Sequence, residues 1–150
     1  TRNHSSAASD VYKRQLDYGA FTPIQVAAAS ALSSDPSTIA KVREVYKKRR
    51  NVLVDAMSKA GWEIPSPDAT MFAWAPIPEK FRSLGSLEFS KVLLKEADIS
   101  VAPGIGFGEY GENFVRIGLV ENEHRIRQAA RNIKAVFTKA DKILSDHSPN

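Results

Sequence analysis

The chain has 150 residues, of which 43% are hydrophobic and 25% are charged, a composition typical of one globular domain and not of a disordered segment. It contains no cysteine, which excludes disulfides and cysteine-ligated zinc, and its histidines, His4, His124 and His147, lack the spacing of metal ligands. The formal net charge is +4, and no apolar run reaches the roughly 20 residues of a membrane helix, so we expect a cytoplasmic protein that does not bind a membrane.

The first fifteen residues differ from the rest of the chain. They show little apolar periodicity, and their three basic residues and one acidic residue account for half of the net charge. We therefore predict that residues 1–15 are a non-native or disordered segment. A basic run at residues 47–50 lies within a predicted helix, where consecutive side chains point in all directions, so it does not form a binding face. The weak remaining charge argues against nucleic acid as a partner.

Two helices are predicted after this segment. Thr22 and Pro23 are of the types found at a helix start, and the alanine-rich residues that follow extend the helix to about Leu32. Asp35 and Pro36 repeat this pattern and predict a long second helix, which should stop at the glycine in position 61. Its apolar residues recur at three- and four-residue steps and should cover the core: Ile39, Val42, Tyr46, Leu53, Met57 and Ala60.

Two strands are predicted next. The first is Trp62–Ile64, and the second runs from Thr70 to Ala75. Because the second is almost continuously apolar, we expect it to be buried on both faces, with Met71, Phe72 and Trp74 in the core.

The last elements complete an α/β pattern. Ser86 can cap a helix that ends at Ala97, and Ile99–Ala102 is predicted to be a strand. Asn122 can cap a final helix with a pronounced apolar stripe, formed by Ile126, Ala130, Ile133, Phe137, Ala140, Ile143 and Leu144. The order of elements predicts an α/β sandwich in which helices pack on a small sheet.

A glycine-rich loop and the strand after it, residues 101–119, are the most informative part of the chain. Side chains alternate along a strand, so Val115 and Ile117 should face one side and Arg116 the other. A guanidinium offers a planar fork of donors that fits a carboxylate or a phosphate. The alternative is that Arg116 reaches solvent or pairs with an acidic side chain of the same protein.

Five segments in order resemble a known family, class I (fold-type I) pyridoxal-phosphate-dependent aminotransferases, from about Leu16 to Leu144. They are D-Y-G-A-F-T-P-I-Q (17–25), P-S-P-D-A-T-M-F-A-W-A-P-I-P (65–78), G-S-L-E-F-S-K-V-L-L-K-E-A (85–97), P-G-I-G-F-G-E-Y-G (103–111) and F-V-R-I-G-L-V-E-N-E-H-R-I-R-Q-A (114–129). The chain resembles the C-terminal part of such enzymes, and most of all the alanine and LL-diaminopimelate aminotransferase group.

The resemblance implies roles for several residues. Arg116 would bind the α-carboxylate of the substrate, which every amino acid and 2-oxo acid shares. Tyr18 and Gly19 would lie near the active site of the partner subunit in a homodimer. Independently of the resemblance, the glycine-rich loop could bring Gly104 and Gly106 into contact with a ligand, or it could be structural only and shape the entry of the strand. The cofactor would be pyridoxal 5'-phosphate, and the substrates alanine with pyruvate or glutamate with 2-oxoglutarate, with LL-diaminopimelate as the alternative.

The chain departs from the family pattern in one respect. The S-x-S-K motif, whose lysine carries the cofactor, is absent, so no catalytic lysine is assigned and the chain is interpreted as a fragment that is inactive alone. The predicted domains are 16–34, the end of a large domain with its connecting helix, and 35–145, the small C-terminal domain, followed by a disordered tail at 146–150. An alternative from another class is the aminotransferase-like sensor domain of a transcriptional regulator.

Overall fold

The computed structural model describes residues 21–146, apart from the side chain of Asp146, and the chain divides into two units, residues 1–41 and 42–150. The α-helices are α1 (Thr22–Leu32), α2 (Pro36–Lys59), α3 (Gly85–Ala97), α4 (Glu123–Thr138) and α5 (Ala140–Asp146). The strands are β1 (Phe72–Pro76), β2 (Ala102–Pro103) and β3 (Phe114–Gly118), and short 3₁₀ helices cover Glu79–Leu84, Gly104–Phe107 and Glu109–Gly111. No helix within residues 21–146 has the length and hydropathy required to cross a membrane.

The helix starts follow the predicted local signals. Helix α1 has its proline in the first turn, although Phe21 rather than Thr22 is the N-cap. At the start of α2 the Asp35 carboxylate accepts hydrogen bonds from the Ser37 backbone N–H at 3.0 Å and from the Ser37 hydroxyl at 2.7 Å. Because the ionised carboxylate accepts both bonds, the pKa of Asp35 lies below its usual range.

The predicted apolar stripe of α2 is buried only in the second half of the helix. Leu53 and Met57 are each 2% exposed, whereas Ile39 and Val42 are 61% and 52% exposed, so the prediction is wrong for these two residues. Within the basic run of α2, Arg49 donates from Nη1 to the carbonyl oxygens that follow β3, those of Leu119 at 3.1 Å and Val120 at 2.9 Å. Arg49 therefore takes part in the packing of this unit, whereas Lys47 and Lys48 are exposed.

The three strands form one antiparallel sheet in the order β1-β3-β2. In the register, Trp74 of β1 and Ala102 of β2 both lie opposite Arg116 of the central strand β3. The prediction of a small sheet packed by helices is confirmed.

One face of the sheet carries the core. Ala73, Ala75, Val115 and Leu119 are fully buried on this face. An aromatic cluster extends the core toward α3 and α4, made by Trp62, Phe81, Phe89 and Phe137. The buried Trp62 indole donates to the carbonyl oxygen of Pro76 at 2.8 Å, which satisfies its N–H and fixes the chain before the sheet.

Several predictions for the strands are wrong, and so is the predicted cap of α3. Trp62 and Ile64 are buried, but Trp62–Ile64 forms no strand, and of the predicted strand Ile99–Ala102 only Ala102 is paired, as part of β2. Helices cover β1 on one side only, so Trp74 on the other side is 42% exposed rather than part of the core. Ser86 lies inside α3, whose N-cap is Leu84.

Candidate functional site

Arg116 lies at the centre of the outer face of the sheet. The alternation predicted for β3 is confirmed, because Val115 is buried on the core side while Phe114 and Arg116 are accessible on the other. Residues directly opposite each other on neighbouring strands share a face, so Trp74 and Ala102 flank Arg116. The outer face therefore presents a half-buried cation between aromatic and small side chains.

Two phenyl rings contact the Arg116 guanidinium. Its Cζ atom lies 4.2 Å from the ring centroid of Phe72 and 4.4 Å from that of Phe107. Both distances are within the roughly 6 Å of a cation–π contact. Among residues 21–146 the Arg116 side chain makes no hydrogen bond and no ion pair, so its donors are not taken by an acidic side chain of this part of the chain.

The aromatic residues around Arg116 form one cluster. The Trp74 ring centroid lies 5.3 Å from that of Phe107 and 6.2 Å from that of Phe114, both in edge-to-face geometry. Phe107 is 49% exposed and Phe114 is 36% exposed, so the cluster is a surface and not part of the core. We call Phe72, Trp74, Phe107, Phe114 and Arg116 the arginine face.

The glycine-rich loop supplies one member of this face, and close backbone packing shapes the loop. Gly104 is buried against Gly111, and a Cβ atom at either position would overlap the carbonyl oxygen of the other. Gly106 has no atom within 4 Å of the place its Cβ would take. Gly104 is therefore required by the fold of the loop, and the contacts of Gly104 and Gly106 with a ligand stay predictions.

A half-buried carboxylate–hydroxyl contact fixes the loop to α3. Ser86 is fully buried, and Glu112 accepts hydrogen bonds from its backbone N–H at 3.1 Å and from its hydroxyl at 2.8 Å. The same hydroxyl accepts from the backbone N–H of Ile105 at 3.1 Å. Glu112 thus caps the first turn of a helix that begins 27 positions earlier in the chain, and both ends of the loop are anchored to that helix.

The remaining predicted site residues lie elsewhere. Tyr18 and Gly19 are outside the described residues. A cavity of about 740 Å³ lies between the second half of α2, residues 98–101 and α4, on the other side of β3, and its lining does not include Arg116. Within residues 21–146 no cluster of histidine, aspartate or glutamate side chains could hold a metal ion.

Phe72 and Phe107 were not predicted as site residues. Phe72 was assigned to the core, and Phe107 was treated only as part of a glycine loop. The sequence did contain a signal for Phe72, because Phe72 and Trp74 are two positions apart in a strand and must share a face. Nothing local indicated that the loop would fold back and place Phe107 on the same face.

The comparisons with known proteins agree with this architecture. A family model for aminotransferase class I and II matches residues 4–133, so the match extends into the segment 1–15 that the motifs did not cover. The chain therefore belongs to the aminotransferase class I and II family. Its sheet packed by helices has the fold of the C-terminal domain of fold-type I enzymes.

Three curated relatives and one solved structure illustrate the similarity. The chain is 65% identical over 138 residues to a putative aminotransferase AatC of Rhizobium meliloti (92% of this chain, 34% of the relative) and 54% identical over 132 residues to the glutamate-pyruvate aminotransferase AlaC of Escherichia coli (88% and 32%). It is 41% identical to an LL-diaminopimelate aminotransferase of Gloeobacter violaceus (82% and 31%). An aromatic aminotransferase structure from Pyrococcus horikoshii superposes with a TM-score of 0.76 at 28% identity (87% and 35%). The chain spans about a third of the length of these proteins.

Proposed function

We propose that this chain is the C-terminal part of a pyridoxal 5'-phosphate-dependent aminotransferase, and that Arg116 binds the α-carboxylate of its substrates. The observation that carries the proposal is the state of the Arg116 guanidinium, which is held by two rings and makes no hydrogen bond or ion pair within residues 21–146. A half-buried guanidinium with open donors is suited to a bidentate contact with a carboxylate.

The geometry supports an orienting role for Arg116. Substrates with different side chains, such as alanine and glutamate with their 2-oxo acids, have in common only the α-carboxylate and the carbon beside it, so a site that handles them in turn must hold them by that group. A bidentate contact fixes two oxygen atoms at once and therefore sets the direction of the Cα–H bond, which a single ammonium does not. When bound, the cofactor withdraws electrons from this carbon, so that its proton can leave.

The residues present fit the carboxylate-binding part of such a site. The lysines of residues 21–146 are all exposed on the surface, and none stands in the S-x-S-K context of the family. We therefore place the lysine that carries the cofactor, and most cofactor contacts, in another part of the complete protein. The contribution of this chain is to bind, orient and cover the substrate.

The exposed first helix supports the proposed domain division. Helix α1 has no buried residue, and its apolar side chains Ile24, Val26 and Leu32 are 63%, 63% and 89% exposed. A helix with this much exposed apolar surface is typical of a segment that another part of a protein covers. This supports residues 16–34 as the end of a large domain and 35–145 as a small domain, which would close over the substrate and exclude water.

The choice of substrates follows the relatives. The identity of 54% to a glutamate-pyruvate aminotransferase exceeds the 41% to an LL-diaminopimelate aminotransferase, which favours alanine, glutamate and their 2-oxo acids. The proposed assembly is a cytoplasmic homodimer, in which Tyr18 and Gly19 approach the partner's active site.

The test is Arg116→Lys in the full-length protein that contains this chain. Loss of the bidentate contact should lower kcat/KM for amino and 2-oxo acids by about 10- to 100-fold, whereas the affinity for the cofactor, read from its absorbance, should change little. The exposed Arg127→Lys is the matched control and should behave like the wild type. Equal loss of cofactor affinity and of catalysis in Arg116→Lys would contradict the proposal.

A further inference from the structure

We infer that Phe107 is a positioning residue that sets the direction of the Arg116 guanidinium, an inference that rests on the proposed function of Arg116. Because the Arg116 side chain makes no hydrogen bond or ion pair within residues 21–146, the rings of Phe72 and Phe107 are its specific contacts there. Arginine has several rotatable bonds and loses much rotamer freedom when it is held. A side chain that restricts it before the substrate arrives therefore contributes to binding.

The two rings that contact the guanidinium come from different parts of the fold. Phe72 is part of β1 and belongs to the sheet, whereas Phe107 comes from the glycine-rich loop and is 49% exposed. The two rings make no contact with each other within the described residues, although each lies within 4.4 Å of the Arg116 Cζ atom. A planar cation contacted in this way is limited in rotation, and its N–H groups remain available at the edges of the plane.

A ring orients the cation without using its donors. A carboxylate in the place of Phe107 would also hold Arg116, but it would accept the N–H groups that the substrate needs. The π face of a phenyl ring attracts the positive charge and accepts no conventional hydrogen bond. The two rings thus hold the Arg116 guanidinium in place and leave its N–H donors available. An ion pair would occupy those donors, and a solvated side chain would not be held.

The position of Phe107 is itself determined by the contacts of its loop. Its loop is anchored to α3 through the Ser86 and Glu112 hydrogen bonds and through the close approach of Gly104 to Gly111. The Phe107 ring also meets the ring of Trp74 edge-to-face at 5.3 Å. The loop therefore places Phe107 relative to the sheet and does not leave it to solvent.

The kinetic test compares Phe107→Leu, which keeps an apolar side chain but removes the ring face, with Phe107→Tyr, which keeps the ring. In the full-length protein, Phe107→Leu should raise KM about 3- to 30-fold, by a similar factor for amino and 2-oxo acids, with a smaller change in kcat. Phe107→Tyr should retain most of the wild-type KM. Tyr110→Leu is the matched control, because Tyr110 lies in the same loop and is fully exposed.

A second readout follows Arg116 directly in the full-length protein. Two rings within 4.4 Å should shift the Nε–H proton resonance of Arg116 upfield. In Phe107→Leu this resonance should move toward that of an exposed arginine, and titration with acetate should saturate at a higher concentration than in the wild type. Tyr110→Leu should leave both quantities unchanged.

The outcomes separate this inference from the proposed function. If Arg116→Lys is defective while Phe107→Leu has the KM and the Arg116 resonance of the wild type, the role of Phe107 is refuted and that of Arg116 stands. A shifted Arg116 resonance with unchanged KM values would also refute it, since the ring would then be in contact without affecting binding. If Arg116→Lys itself leaves the kinetics unchanged, the proposed function fails, and with it the role of Phe107 in the reaction.

Discussion

Replacing Gly104 by alanine is the sharpest perturbation that the structure offers in the glycine-rich loop. A Cβ atom at this position would overlap two backbone oxygens, those of Gly111 and Phe114. Backbone atoms cannot turn away as the end of a flexible side chain can, so the loop and β3 must separate. Overpacking of this kind typically costs about 1–3 kcal/mol, and we expect the upper end because both obstacles are backbone.

Gly106→Ala is the matched control. It lies two positions away in the same 3₁₀ helix, and no atom lies within 4 Å of the place its Cβ would take. Its backbone also lies outside the positive-φ region that favours glycine. We expect its stability to be unchanged or raised by up to about 1 kcal/mol, because alanine reduces the freedom of the unfolded chain.

Urea unfolding of the 150-residue chain measures both variants. A loss of about 3 kcal/mol corresponds to a fall of about 1–2 M in the urea midpoint for a protein of this size. The fluorescence of the two tryptophans reports on different regions. Trp62 is 1% exposed in the core, whereas Trp74 contacts the loop through Phe107. In Gly104→Ala the emission of native Trp74 should change as well. A Gly104→Ala midpoint equal to that of the wild type, or an equal loss in Gly106→Ala, would refute the reasoning.

Two further predictions concern hydrogen bonds to carboxylates. Glu112→Gln keeps the shape of the side chain that caps α3 but removes its charge. It should lower the free energy of unfolding, measured by urea titration, by about 1–2 kcal/mol. An unchanged urea midpoint would contradict the capping role of Glu112. Because the pKa of Asp35 is lowered in the folded state, its hydrogen bonds to Ser37 stabilise α2 at neutral pH and are lost as the pH falls through that pKa. Ser37→Ala should therefore raise the pKa of Asp35, measured by carbon-13 NMR titration of its carboxyl group. An unchanged pKa would exclude the hydrogen bond from the Ser37 hydroxyl.

Helix ends could be predicted from the sequence because their signals are local. Asn122 caps α4 through a hydrogen bond from the backbone N–H of Arg125 at 3.0 Å, as predicted, and Asp35 and Pro36 start α2. Each of these signals acts within three or four residues of the chain. The glycine in position 61 likewise has a φ of 90° just beyond the end of α2.

Strands were predicted less well because a strand needs a partner that the local sequence does not contain. Ile99–Ala102 has the composition of a strand, but only its last residue finds a partner on β3. Trp62 and Ile64 are apolar because they pack in the core, whereas Glu63 between them is exposed and accepts a hydrogen bond from the Ser58 hydroxyl at 2.7 Å. Apolar character indicated burial in both segments, and it could not distinguish a strand from a buried coil.

By itself the amino-acid sequence determined the starts of α2 and α4 and the two faces of β3, and with them the accessible position of Arg116, since each depends on residues close together in the chain. Only the tertiary structure decided that Phe72 and Phe107 meet on one guanidinium, and that Glu112 reaches back to Ser86. These contacts join positions 35 and 26 residues apart in sequence, whose approach is set by sheet register and loop closure. No local periodicity encodes such distances, because they result from the packing of the whole unit.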